Sequence, residues 1–269
     1  MPIRLTLPPT FRDRIAASGR PQMGMWVCTG SPLVAEICAG AGLDWLLIDG
    51  EHSPIGLETT SALLQAVAPY PVTPLVRAPS GDAVVLKQLL DLGAQNVLVP
   101  MIDTAEQARA VVRAVRYPPR GIRGVGSALS RGARWNRVEG YMADADQYAS
   151  LFVQVESATG VENAAQIAAV DGVDGVFVGP SDLAASMGVL GQQTHPDVTA
   201  AVRATFEAVR AAGKPVGVNA FDPVVAQAYL EAGASFVLVG ADVALLARGS
   251  EALADTWIGG DGAAGGRAP

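Results

Sequence analysis

Two carboxylates follow neighbouring short apolar runs of the chain. Glu156 ends the run LFVQVE, and Asp182 comes shortly after the run GVFVGP. If these runs are adjacent parallel strands, about 4.8 Å apart, both carboxylates can reach one cation. Oxygen ligands suit a hard ion such as Mg²⁺ or Mn²⁺. The pair therefore predicts a divalent-metal site. Two alternatives stay open: Glu156 could pair with a cationic side chain, and Asp182 could cap a helix beginning near Leu183.

Other apolar runs also end in residues that are not aliphatic: Trp26, Asp49, Glu51, His52, Arg77, Gln154 and Asn219. A carboxylate beside His52 can orient the imidazole as a general base. Arg77 can stabilise the negative charge that develops on an oxygen atom. The structural alternatives are a hydrogen-bonded histidine and an ion pair between Arg77 and Asp49 or Glu51. Ser181 and Asp182 open a predicted helix, so their backbone N–H groups could bind a substrate carboxylate.

The remaining candidate nucleophiles and bases are poorly placed for catalysis. The chain has two lysines: Lys87 lies in a helical pattern, and Lys214 precedes the seventh run, at the end opposite the polar cluster. Covalent catalysis through a lysine Schiff base is therefore disfavoured. His195 belongs to a predicted helix start. The two cysteines, Cys28 and Cys38, show neither metal-ligand nor disulfide spacing and are interpreted as small core residues.

These polar residues need a framework that gathers the ends of many strands. Eight apolar runs alternate with helical patterns that often end in glycine, at 22–28, 44–50, 72–78, 96–101, 151–156, 175–180, 215–220 and 236–240. Strict alternation predicts a parallel sheet with both faces buried. Eight units predict an α/β protein with a single (β/α)8 TIM barrel, whose chemistry lies at the carboxyl ends of the strands. An open doubly wound sheet is the alternative, but CTGSPLVAE after the first run is not a dinucleotide-binding turn.

The length and composition fit one such domain. We expect the barrel over residues 1–257 and a flexible Gly/Ala-rich tail over 258–269. The segment 117–150 exceeds a normal connection and is a candidate active-site loop. Of the 269 residues, half are hydrophobic, and the net charge of −7 argues against a nucleic-acid partner. From the residue pattern we expect neither a membrane-spanning stretch nor a signal peptide, and the cysteine usage suggests a cytoplasmic protein.

Six segments of the chain carry a family resemblance: DWLLIDGEHSP, PLVRAP, GAQNVLVPMIDTAEQA, YPPRGIRGVGSA, FVQVE and VFVGPSDLAASMG. In order from about Trp26 to Gly249, the chain resembles the class II pyruvate aldolases of the 4-hydroxy-2-oxoheptanedioate aldolase family. The 2-dehydro-3-deoxyglucarate and 2-keto-3-deoxyrhamnonate aldolases are related to them. The resemblance implies reversible, metal-dependent cleavage of 4-hydroxy-2-oxo acids to pyruvate, or a related 2-keto acid, and an aldehyde. It also implies a homo-oligomer, a hexamer.

The resemblance also implies residue roles. Glu156 and Asp182 would bind the metal (Mg²⁺, Mn²⁺ or Co²⁺), Arg77 would stabilise an enolate, and His52, supported by Asp49, would transfer protons. The substrate-binding residues would be Trp26, Gln154, Gly179, Pro180, Ser181 and Asp182.

The chain departs from the family pattern at Ile55 and Asn219, both expected near the path of the aldehyde, which leaves the aldehyde substrate open. Two other functions remain as alternatives. One is a metal-dependent acyl-CoA lyase or decarboxylase. The other is a barrel that only binds a keto acid. A CoA substrate would need basic residues for its phosphates, and four arginines are available in the long segment: Arg120, Arg123, Arg131 and Arg134.

Overall fold

The computed structural model describes residues 3–258 and contains eight parallel strands that close into a barrel in sequence order. The strands are β1 Gln22–Val27, β2 Trp45–Asp49, β3 Thr73–Arg77, β4 Asn96–Val99, β5 Ser150–Val155, β6 Gly175–Val178, β7 Val216–Asn219 and β8 Phe236–Ala241. Each lies on one of the eight predicted runs. The predicted (β/α)8 barrel is therefore confirmed, and the open-sheet alternative is wrong because β1 pairs with both β2 and β8.

Helices surround the barrel, and one precedes it. They are α1 Phe11–Ala17, α2 Pro32–Ala39, α3 Leu57–Val67, α4 Ala83–Asp91, α5 Ala105–Val115, α6 Ala158–Glu162, α7 Ala164–Ala168, α8 Pro180–Ser186, α9 Pro196–Ala211, α10 Pro223–Glu231 and α11 Asp242–Trp257. A short 3-10 turn covers Ser127–Leu129. Several helices begin where a Ser, Thr or Asp side chain accepts a backbone N–H, as Asp82 does before α4 and Asp222 before α10.

The barrel interior is filled by aromatic and leucine side chains, so the barrel is a packed core rather than a pore. Phe11 of α1 inserts from the N-terminal end, and its ring lies 5.0 Å from that of Trp45 and 5.3 Å from that of Phe152. Gly24 of β1 makes room for Trp45, because a Cβ atom there would meet the indole ring at 2.5 Å. Neither α1 nor its role in closing this end was predicted from the sequence.

The long segment 117–150 lies at the N-terminal end of the barrel. It follows α5 and leads into the beginning of β5, so it is a helix-to-strand connection. The Gly132 N–H donates to the carbonyl of Asp91, at the end of α4, and the Ser150 N–H donates to the carbonyl of Gln95, just before β4. The candidate active-site loop is therefore not a loop of its own barrel's active site, because active sites of such barrels lie at the other end.

The described residues form one barrel, and α11 ends at Trp257, the predicted last residue of the domain. Of the predicted tail, residues 259–269 lie outside the described part of the chain. Within residues 3–258, no helix is both long enough and apolar enough to cross a membrane.

Candidate active site

Arg77 lies at the centre of the C-terminal mouth of the barrel. It ends β3 and is 5% exposed. Its Nε donates to Asp49 Oδ1 at 2.8 Å, and its Nη1 lies 2.9 Å from Glu51 Oε2. Its guanidinium carbon lies 4.4 Å from the centre of the Trp26 ring. The ion-pair alternative is thus observed. It leaves Nη2 without a hydrogen bond to any described residue, so the same side chain can still meet a substrate oxygen.

Trp26 is held from the opposite side of the mouth. Its Nε1 donates to Asn219 Oδ1, at the end of β7, at 2.7 Å. Asn219 therefore fixes the ring on which Arg77 stacks, a role that the sequence did not reveal. Ile55, the other departure from the family pattern, is 8% exposed and packs in the main hydrophobic core. Burial limits any contact of Ile55 with a substrate entering from solvent.

The loop after β2 places Asp49 and His52 differently from the expectation. The Asp49 carboxylate accepts from Arg77, from the Glu51 N–H at 3.1 Å and from the Ser53 hydroxyl at 3.2 Å. Burial opposes its ionisation, but Arg77 and the backbone donors hold the pKa of Asp49 below its usual value. Asp49 thus orders the loop and Arg77. The carboxylate that neighbours the His52 imidazole is Glu51, with Nε2 3.8 Å from Oε2.

The same loop leaves the His52 imidazole exposed. Its side chain is 65% exposed, so the imidazole is open to the mouth and to water. Burial raises the pKa of Glu51, although the charges of Arg77 and His52 oppose this effect. Glu51, which the sequence offered as a possible ion-pair partner of Arg77, is thus also the carboxylate beside His52.

Glu156 is a buried carboxylate without a neutralising cation. It follows β5 and is 3% exposed. Its Oε1 accepts the Met101 N–H at 2.8 Å, and its Oε2 accepts from Gln154 Nε2. Burial raises the pKa of Glu156 to about 7, and the negative charges of Asp182 and Glu51 add to this effect. Since no Lys or Arg of the described chain forms an ion pair with it, the cation-pair alternative for Glu156 is not observed.

Asp182 lies in the first turn of α8 with its side chain exposed. The N-cap of α8 is Gly179, which supplies no side-chain hydrogen bond, and Pro180 follows at the first helical position. The capping alternative for Asp182 is therefore wrong. Ser181 uses its hydroxyl to donate to Gln193 Oε1 at 2.8 Å. The backbone N–H groups of Ser181 and Asp182 lie in the first turn of α8, where N–H groups have no acceptor within the helix.

The residues around Glu156 fit a divalent ion. A Cβ on Gly179 would lie 2.8 Å from Glu156 Oε2 and 3.0 Å from Gln154 Nε2, so the absence of a side chain keeps a space open beside the carboxylate. The buried Gln154 Oε1 has no hydrogen-bond partner in residues 3–258. Within the same residues, no cluster of three or more His, Cys, Asp or Glu is close enough to hold a metal. A two-carboxylate site would leave most positions of a six-coordinate ion to substrate and water.

Four carboxylates gather around the mouth, whereas one guanidinium is buried among them. Asp49 and Glu51 are paired with Arg77, but Glu156 and Asp182 are not paired with any cation of the described chain. Carboxylates that repel one another in a partly buried site favour binding of a cation. The arrangement can therefore hold a divalent ion and, across from it, direct a guanidinium toward an oxyanion.

Asp242 is a buried residue of this end of the barrel that the sequence analysis missed. It begins α11 directly after β8 and is 2% exposed. Its carboxylate accepts the backbone N–H groups of Cys28 at 2.8 Å and Thr29 at 3.0 Å, together with the Thr29 hydroxyl. The signal was an acidic residue directly after the last strand, as at Asp49.

Other predictions about individual residues agree with the structure. His195 is the N-cap of α9 and accepts the Asp197 N–H through Nδ1. Cys38 is buried and Cys28 is partly buried, and both are free thiols. Burial raises the pKa of Cys28 to about 11, so this thiol is not a ready nucleophile.

The comparisons with known proteins agree with this geometry. Residues 22–249 match the family described as HpcH/HpaI aldolase/citrate lyase. The chain is 54% identical to the hydroxypyruvate/pyruvate aldolase of Deinococcus radiodurans, over 96% of this chain and 94% of that protein. It is also 54% identical to the 4-hydroxy-2-oxo-heptane-1,7-dioate aldolase of Klebsiella pneumoniae, over 91% and 92% of the two chains.

A solved structure of the same family also resembles this chain. The crystal structure of an HpcH/HpaI aldolase/citrate lyase family protein from Burkholderia cenocepacia superposes with a TM-score of 0.87 at 40% identity, covering 91% of this chain and 98% of that one. The family match over residues 22–249 spans all eight strands and every residue of the mouth described above. The chain therefore belongs to the HpcH/HpaI aldolase/citrate lyase family and is an aldolase.

Proposed function

We propose that this aldolase reversibly cleaves 4-hydroxy-2-oxo acids to an aldehyde and pyruvate or a closely related 2-keto acid, and that it requires a divalent metal ion. The observation that carries the proposal is the buried, cation-free carboxylate of Glu156 beside Asp182, with Arg77 on the same mouth. The names of the two relatives above support the substrate class.

Glu156 and Asp182 would hold the ion, which is proposed to be Mg²⁺, Mn²⁺ or Co²⁺. A divalent ion at this place would act as a Lewis acid on the keto group of the substrate. The open space beside Gly179 and the unpartnered Gln154 Oε1 support binding of a polar group there.

Arg77 would stabilise the enolate form of the 2-keto acid. Asp49, Glu51 and Trp26 fix its guanidinium before the substrate arrives, so little reorganisation is needed when negative charge develops on the keto oxygen. A fixed planar fork also sets the direction from which that oxygen can approach.

The ends of the substrate would meet the remaining residues of the mouth. The substrate carboxylate would bind at the backbone N–H groups of Ser181 and Asp182, with Gly179 and Pro180 shaping the turn. The exposed imidazole of His52 would carry the proton to or from the reacting carbon and oxygen atoms, directly or through water, with Glu51 beside it.

The structure does not support the acyl-CoA alternative, which needed arginines near the mouth to bind the phosphates of CoA. Arg120 pairs with Asp146 at 3.0 Å, and Arg123 pairs with Asp91 at 3.0 Å. Arg131 and Arg134 lie against the beginnings of β3 and β4, at the end of the barrel away from the mouth. None of these four arginines can bind the phosphates of a ligand whose reactive group lies at Glu156 in the same chain.

Assembly and location are proposed from weaker signals. We propose that the protein forms a homo-oligomer, and the family resemblance implies that this oligomer is a hexamer. Apolar side chains exposed on α2 and α11 support such contacts: Leu33, Ile37, Leu245, Leu246, Leu253 and Trp257. Sedimentation equilibrium measures this state directly, and a monomer at micromolar concentration would contradict it. The free thiols of Cys28 and Cys38 suit a reducing compartment, the cytoplasm.

Metal removal tests the proposed function. We expect EDTA treatment to abolish release of pyruvate from 4-hydroxy-2-oxo-heptane-1,7-dioate, and Mg²⁺, Mn²⁺ or Co²⁺ to restore it. Glu156→Gln should lower the restored rate at least about 100-fold, because a neutral amide binds hard cations poorly. Glu162→Gln, at an exposed position, is the control and should behave as the unmodified protein. Full activity in rigorously metal-free protein would overturn the proposal.

A further inference from the structure

A second cavity, with both polar and apolar side chains in its wall, lies at the N-terminal end of the barrel, opposite the mouth. Its volume is about 150 Å³, and Thr73 and Asn96, the first residues of β3 and β4, line it. The wall contains apolar residues of α3, among them Leu64 and Val67, and prolines from the start of the chain. Arg131 and Arg134 from the long segment also line it, and neither belongs to the aldolase site.

The two guanidinium groups converge over Gly93. A Cβ atom on this glycine would lie 2.8 Å from Arg131 Nη1 and 2.9 Å from Arg134 Nη1. Both nitrogens thus lie within about 6 Å of each other, a distance at which two like charges in a partly buried place repel. Burial, with the charge of Arg134 as a second cause, lowers the pKa of Arg131 to about 10.

Arg131 has a structural explanation, but Arg134 does not. Arg131 donates to the carbonyls of Leu64 and Leu92, so it satisfies the C-terminal ends of α3 and α4. Arg134 donates only to the backbone carbonyl of Arg131. Within residues 3–258, neither side chain lies within 4 Å of a carboxylate, whereas Arg120 and Arg123 of the same segment each have one.

The backbone that presents Arg134 is strained. Arg134, Trp135 and Asn136 have φ angles of 49°, 54° and 60°, three consecutive non-glycine residues in the left-handed region. Residues other than glycine adopt this region at an energetic cost, and strain of this kind is concentrated at functional sites. A turn that held Arg134 for packing alone would not need to place it beside a second guanidinium that has no carboxylate partner in residues 3–258.

We infer that Arg134, together with Arg131, binds the phosphate or carboxylate group of a small molecule in this cavity. One oxyanion can accept hydrogen bonds from both guanidinium forks and cancel their repulsion. The volume and the apolar wall fit a ligand with a small body, and the place is separate from the aldolase mouth.

Anion-induced stabilisation tests this inference on the full-length protein. Inorganic phosphate and succinate are the two probes, each compared with sodium chloride at equal ionic strength, in a thermal unfolding assay followed by calorimetric titration. The probe that binds more tightly identifies the group, phosphate or carboxylate, that the site prefers. We expect at least one of them to stabilise the unmodified protein, and Arg134→Gln to weaken its binding at least about tenfold. Arg109→Gln, an exposed arginine on α5, is the charge-matched control and should bind normally.

A second variant keeps the test decisive if Arg134→Gln fails to fold. Ala68 is exposed at the rim of the same cavity, directly after α3. Ala68→Glu should supply an internal carboxylate, raise the melting temperature without added anion and abolish the response to the probe. Ala68→Gln, similar in size but neutral, should keep the response. If neither probe stabilises the unmodified protein, or if folded Arg134→Gln or Ala68→Glu responds like the unmodified protein, the inference is overturned.

Discussion

At the scale of single residues, the mouth of this barrel shows side chains that serve structure and chemistry together. Arg77 forms the structural ion pairs that the sequence analysis held as an alternative to catalysis. Those pairs and the Trp26 ring fix the guanidinium in one orientation, which is what stabilisation of an oxyanion needs. The two interpretations of Arg77 are therefore compatible.

Arg77→Lys tests the need for the planar fork. A lysine cannot contact Asp49 and Glu51 at once while it stacks on Trp26, so we expect kcat for aldol cleavage to fall about 100-fold or more. Arg109→Lys on the exposed face of α5 is the control for the chemical change. Steady-state kinetics measure both variants. A kcat within a factor of two of the unmodified enzyme would argue against the enolate role.

The raised pKa of Glu156 predicts how stability depends on pH without metal. The folded state keeps the Glu156 proton up to about pH 7, whereas the unfolded chain releases it near 4.5. The proton therefore binds the folded state more tightly, and its contribution to stability is complete below pH 4.5 and is lost as the pH rises through 7. Between pH 4.5 and a pH above 7, the free energy of unfolding falls by about 3 kcal/mol.

Urea unfolding in EDTA between pH 5 and 8 measures this effect. Glu156→Gln should remove this part of the pH dependence and be the more stable protein at pH 8. Glu207→Gln, exposed on α9, should retain the dependence of the unmodified protein. Identical pH profiles for Glu156→Gln and the unmodified protein would show that Glu156 is ionised at low pH in the folded state.

The sequence predicted which residues lie at the site better than it predicted which side chains contact one another. Carboxylates and an arginine at strand ends could be read from the order of the chain, because parallel strands end at one edge. The partner of His52 could not, since Asp49, Glu51 and His52 lie within four positions and only the turn decides which side chains meet. The support of Trp26 by Asn219 depends on β1 and β7, which lie far apart in sequence.

At the scale of elements, the strands were predictable and the connections were not. Continuous apolar runs mark strands that are buried on both faces, and each of the eight runs overlaps one strand. The segment 117–150 has little periodicity, so its length suggested an active-site loop. Its place at the opposite end follows from the helix that precedes it: α5 runs back from the mouth, and Ser150 begins β5 at the far end.

Asp242 joins the last strand to the first loop, and its removal tests that connection. Its carboxylate accepts the N–H groups of Cys28 and Thr29 at the end of β1. Asp242→Ala would leave these partly buried donors without the acceptor, and we expect a loss of about 2 kcal/mol in the free energy of unfolding. Asp255→Ala on exposed α11 is the control. Chemical denaturation measures both, and a change below 0.5 kcal/mol, the usual size for surface substitutions, would contradict this role of Asp242.

At the scale of the whole molecule, the barrel separates two charged ends. The mouth gathers Asp49, Glu51, Glu156 and Asp182, whereas Arg131 and Arg134 lie against the beginnings of the strands. The net charge of −7 gave no sign of this separation, because composition carries no information on position. The sequence therefore predicted the barrel and the type of chemistry, while the second cavity needed the structure.

The exchange of the methyl protons of pyruvate with deuterium oxide tests the central claim most directly. This exchange requires only that the enzyme form an enolate, so it does not depend on the identity of the aldehyde. We predict that the protein catalyses it with Mg²⁺, Mn²⁺ or Co²⁺, and that both EDTA and Asp182→Asn reduce the rate to that of the buffer. Exchange at an undiminished rate in metal-free protein, or no exchange with any of these ions, would contradict the account.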